Sequence, residues 1–68
     1  MKANGSRIRE LRRAKRLGIR SLADKANIHR SYLSRLERGL KTARLDTLER
    51  IAAVLEVPVA DISGEVAN

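Results

Sequence analysis

Apolar positions along this chain recur at three- and four-residue spacing, and no stretch alternates as a strand would. Ile8 and Leu11 share a face with Arg12 and predict a helix over residues 6–16, punctuated by Gly18. Leu22, Ala23 and Ala26 predict a second over 19–26, which Asn27 closes. Asparagine is one of the few residues besides glycine that tolerate the left-handed conformation at a helix end. A third helix is predicted over 30–38, stopped by Gly39. Ile28 and Leu33 have the spacing of a hydrophobic staple if His29 is the cap, although histidine is not a favoured cap residue. The stripe Leu45, Leu48, Ile51, Ala52, Leu55 predicts a fourth over 45–55, with Asp46 in its first turn against the positive end of the helix dipole. Pro58 opens a short fifth helix, 59–62, which Ser63-Gly64 ends. The expected fold is all-α: one compact five-helix domain over residues 1–68, its core spanning about 6–62, with short flexible ends.

Length changes this picture little, but charge changes it a good deal. A chain of 68 residues supports a single modest core of marginal stability and leaves no room for a second domain. The absence of cysteine excludes disulfides and thiolate metal sites, and the lone His29 cannot hold a metal by itself. Neither a metal nor any other cofactor is expected. No apolar run approaches a membrane span and no signal-peptide pattern opens the chain, so a cytoplasmic protein is expected. The net charge is +7, and residues 1–44 carry 14 of the 15 Lys/Arg but only 3 of the 8 Asp/Glu. One part of the chain is therefore suited to a polyanion, and the acidic remainder is not.

The two short helices joined by Asn27-Ile28-His29 concentrate that charge. On a helical wheel, Arg30, Ser31, Ser34, Arg35 and Arg38 occupy about 140° of the third helix, while Leu33 and Leu36 fall opposite. Arginine can give two parallel hydrogen bonds to the O6 and N7 of guanine, and serine can donate to or accept from several base edges. A merely solvated surface helix would more often carry Glu or Lys. Glu37 lies at the edge of the apolar face, and Arg12 sits beside Ile8 and Leu11 on the inward face of the first helix. No Ser, Cys or Asp arrangement around His29 supports catalysis, so no catalytic residue is expected and the chain does not read as an enzyme.

Four stretches together resemble the lambda-repressor-like (Cro/XRE) helix-turn-helix family over residues 7–62. They are Arg7-Ile8-Arg9-Glu10-Leu11-Arg12, Leu22 through Ile28, Ser31 through Gly39, and Leu45 through Leu55. The resemblance implies a third helix that enters the major groove of duplex DNA, with Arg30, Ser31, Ser34 and Arg35 at base edges. Phosphates would be held by Gly18, Arg20, Tyr32 (packing or phosphate contact), Arg38, Lys41, Thr42 and Arg44. It also implies that Arg12 and Glu37 pair structurally. Three residues depart from the family pattern. Ile19 stands where a polar residue, commonly Gln, holds a phosphate, and Asn27 and Glu56 replace the usual glycines after the second and fourth helices.

The expected function is a site-specific transcriptional regulator, more often repressing than activating, bound as a homodimer to a palindromic site. The dimer is expected through the fourth-to-fifth helix region. A DNA-binding antitoxin is the alternative, meeting a toxin through Val57, Val59, Ile62 and Val66. The Ile28-His29-Arg30-Ser31-Tyr32 turn also resembles those of restriction–modification controller proteins.

Overall fold

In the computed structural model, which describes residues 2–64, four α-helices are followed by one 3₁₀ turn. They are α1 (Gly5–Ala14), α2 (Ile19–Ala26), α3 (Arg30–Glu37) and α4 (Leu45–Leu55), with the turn at Val59–Asp61. The expected fifth helix is thus a single turn. Pro58 presets its start (φ −67°), but three residues are too few for an α-helical hydrogen-bond ladder.

All four α-helices close in the same way. One or two residues past each helix end, the chain enters the left-handed region, at Arg16 (φ 57°), Asn27 (φ 59°), Gly39 (φ 76°) and Glu56 (φ 61°). The following N–H reaches back across the last turn: Leu17 to the Arg12 carbonyl, Ile28 to Ala23, Leu40 to Arg35 and Val57 to Ala52, at 2.9–3.0 Å. This Schellman pattern satisfies carbonyls that the helix leaves open. It also corrects the end of α1. Arg16 makes the left-handed turn, while Gly18 (φ −74°, ψ 165°) is the cap that starts α2. Arg38, expected as the last residue of the third helix, is the cap of α3.

The residue after each left-handed turn is apolar, and Leu17, Ile28 and Val57 lie against the core. Leu40 does not, and is 61% exposed. Ile8, Leu22, Leu33, Leu36, Leu48, Ile51, Leu55 and Ile62 are fully buried, with α2 packed against both α3 and α4. Leu45 departs from the predicted stripe at 51% exposure, while Thr47 is buried. Periodicity fixes which face of a helix is apolar, but not how far along the axis a neighbour covers it.

The segment before α1 is tied to the segment after the 3₁₀ turn. Ala3 and Ser63 form an antiparallel bridge; the Asn4 N–H donates to the Ile62 carbonyl (2.8 Å), and the Gly64 N–H donates to the Lys2 carbonyl (2.9 Å). Helix α1 accordingly begins at Gly5, capped by the Asn4 side chain, which accepts from the Arg7 N–H. Gly5 is buried where α1 crosses the end of α3, and a methyl group there would overlap the carbonyls of Leu36 and Glu37. Ile62 therefore belongs to the core and offers no surface to a second copy or a toxin. Val57 and Val59 are half-buried, and Val66 lies outside the described residues.

Candidate nucleic-acid interface

The turn between α2 and α3 fixes how the polar face of α3 is presented. Asn27 reverses the chain in the left-handed region, and His29 then opens α3 from an extended conformation (φ −76°, ψ 141°). His29 Nδ1 accepts the Ser31 N–H at 3.0 Å. The ring nitrogen thus caps the helix as a Ser or Asn side-chain oxygen usually does, and its lone pair is committed to structure.

Leu33 and Leu36 anchor α3 in the core, which turns the opposite face outward. Arg30, Ser31, Ser34, Arg35 and Arg38 there line one shallow recess together with Ile19, the first residue of α2. No carboxylate of the described residues lines it. Among the described residues, Arg30, Arg35 and Arg38 join no ion pair, so their donors face solvent. Ile19 was legible only as a missing polar side chain. Its place among the arginines shows an apolar member of the same surface.

The one acid on α3 is neutralised behind this face. Arg12 Nε donates to Glu37 Oε2 at 2.8 Å, and Nη2 donates to Oε1 at 3.0 Å. The remaining guanidinium nitrogen, Nη1, donates to the Leu17 carbonyl at 2.9 Å. The side chains are only 11% and 4% exposed. The hydrogen bonds donated to Glu37, with its charge, hold the guanidinium above its ordinary pKa against the opposing effect of burial. A bidentate pair thus locks α1 to α3 and removes the repulsion Glu37 would exert on a phosphate.

Beyond α3, Ala43 is buried and anchors an otherwise exposed loop. The Tyr32 hydroxyl donates to the Thr42 carbonyl at 3.2 Å, so it fastens this loop to α3. Lys41 and Thr42 are exposed, and Arg44 lies within 3.3 Å of Asp46 in an exposed ion pair of the kind that contributes little. At the start of α2, Gly18 has no side-chain cap and Arg20 is exposed. No cluster of metal-ligating side chains occurs among the described residues, and no helix there is long and apolar enough to cross a membrane.

Comparison with known proteins is consistent with this surface. A helix-turn-helix family model matches residues 8–62. The immunity repressor protein of Bacillus phage phi105 is 43% identical over 61 residues, which cover 90% of this chain and 42% of the repressor. The transcriptional regulator SinR of Bacillus subtilis is 40% identical over 62 residues, covering 90% of this chain and 56% of SinR. The chain therefore spans about half the length of these curated relatives. The crystal structure of SinR in complex with DNA superposes with a TM-score of 0.79 at 40% identity, covering 82% of this chain and 90% of that one. The restriction–modification controller protein C.AhdI from Aeromonas hydrophila superposes with a TM-score of 0.81 at 35% identity, over 84% of this chain and 86% of that one.

Proposed function

The chain belongs to the Cro/XRE-type helix-turn-helix family, and from that premise we propose that it regulates transcription by inserting α3 into the major groove of a specific DNA site. The observation that carries this reading is the recess on α3, where, among the described residues, no carboxylate intrudes and Arg30, Arg35 and Arg38 join no ion pair. Arg30, Ser31, Ser34 and Arg35 meet base edges, where arginine selects guanine. Gly18 at the open start of α2, Arg20, Arg38, Lys41, Thr42 and Arg44 meet phosphates on either side. Tyr32 acts through the loop it holds. Repression follows if the occupied site excludes polymerase. This activity belongs to the cytoplasm.

A homodimer completes the reading. A palindromic site pairs two copies about one helical turn apart, roughly 34 Å. Val57 and Val59 remain available at the end of α4 and the turn after it; Ile62 does not. The match to C.AhdI over most of both chains favours a controller-type regulator as a second reading. The antitoxin reading would draw on the same Val57 and Val59 edge.

Selection of bound duplexes from a random pool tests the proposal. The expected product is a pair of inverted half-sites, and sedimentation of the complex should find two chains per site. Recovery of no consensus, or a single chain on an asymmetric site, contradicts it.

A further inference from the structure

The segment before α1 lies beside the loop that follows α3. The Lys2 carbonyl accepts the Gly64 N–H, Ala3 bridges Ser63, and the Asn4 N–H donates to the carbonyl of fully buried Ile62. The backbone of residues 2–4 is thereby fixed to the core. It delivers Lys2 to a recess whose other walls are Ala3, Gly39, Leu40, Lys41 and Thr42. Among the described residues, no carboxylate lines this recess and neither Lys2 nor Lys41 joins an ion pair. Leu40, the one residue after a left-handed turn that leaves the core, forms its apolar wall.

We propose that Lys2 is a further DNA-phosphate contact, acting beside Lys41 on the same backbone. The inference rests on the interface reading above. Two lysines lining one recess concentrate positive charge there, and a polyanion is drawn to it with release of counterions. Lysine suits this role because it is a point charge that needs no fixed geometry. The fold holds Lys2 through its main chain, so its side chain is free for a ligand. The contact carries no sequence information, and it widens the footprint beyond α3 and its loop.

The experiment compares Lys2→Ala, Lys2→Arg, Lys41→Ala and Arg35→Ala in the full chain, on the selected site and on a scrambled duplex at several salt concentrations. For Lys2→Ala, affinity should fall alike on both duplexes, with the salt slope reduced by about one unit. Lys2→Arg should keep the parent slope. Thermal melting of free Lys2→Ala should match the parent, because the backbone bonds remain. An unchanged slope in Lys2→Ala beside a reduced one in Lys41→Ala overturns the Lys2 contact and leaves the interface standing. A loss confined to the selected site overturns the phosphate role. If Lys41→Ala and Arg35→Ala also bind like the parent, the interface reading itself fails.

Discussion

At the scale of single residues, the Arg12–Glu37 pair and the left-handed residues carry the sharpest consequences. Replacing Glu37 with Ala strands a guanidinium that is nearly out of water, and breaking such a pair costs about 3–5 kcal/mol. A domain this small holds little more than that in reserve, so urea unfolding of Glu37→Ala should show most of its stability gone. A midpoint close to the parent's would mean that the pair adds nothing. Arg16 presents the reverse case. Its left-handed backbone disfavours any side chain with a Cβ, and its own side chain is exposed and joins no ion pair among the described residues. Arg16→Gly should therefore stabilise by about 1 kcal/mol in the same assay, the relief of strain exceeding the added freedom of the unfolded chain. Of these two effects, the pair was expected from the inward face of Arg12 and the family resemblance. The turn at Arg16 was not, because Gly18 offered a chemically easier stop.

At the scale of elements, the proposed function assigns reading to α3 and gripping to the loop after it. Arg35 lies in the recess of α3, and Arg35→Ala should cost about 1–3 kcal/mol on the selected site and relax discrimination at one base position. Scrambled DNA should lose less. Lys41 lies beyond Gly39, and Lys41→Ala should weaken every sequence alike. Equal losses on both duplexes for Arg35→Ala would move that arginine to the phosphates. The face of α3 was legible in sequence because Leu33 and Leu36 fix its inward side, and α2 and α4 were legible to their last residues. The start of α1 was not. Nothing local marks Gly5 as the residue that lets α1 meet the carbonyls at the end of α3.

At the scale of the whole molecule, long-range ties hold the chain's segments together. Lys15 after α1 reaches Glu56 after α4 at 2.7 Å, and this bond draws the Glu56 pKa below the usual carboxylate value. The folded state then binds the Glu56 proton less readily than the unfolded state does. The contribution is complete above the unfolded carboxylate pKa and disappears as pH falls through the lowered folded value. Chemical denaturation across the acid range should show Glu56→Gln losing less stability than the parent over that interval. Both groups are exposed at the pair, so the difference should be small and should shrink further in salt.

What the sequence determined by itself is local. The spacing of Ile8, Leu22, Leu33, Leu48 and their neighbours set four helices and their inward faces, since a 3.6-residue period leaves one apolar side to bury. The excess of Lys and Arg before residue 45 set the chemistry of a partner. Only the tertiary structure decided which apolar residues are covered, sending Ile62 inward and leaving Leu40 and Leu45 in water. It alone placed Ile19 in the recess of α3 and Lys2 beside Lys41. These neighbours are distant along the chain, and no local propensity encodes their meeting. It follows from how the helices stack and from backbone bonds between residues 2–4 and 62–64.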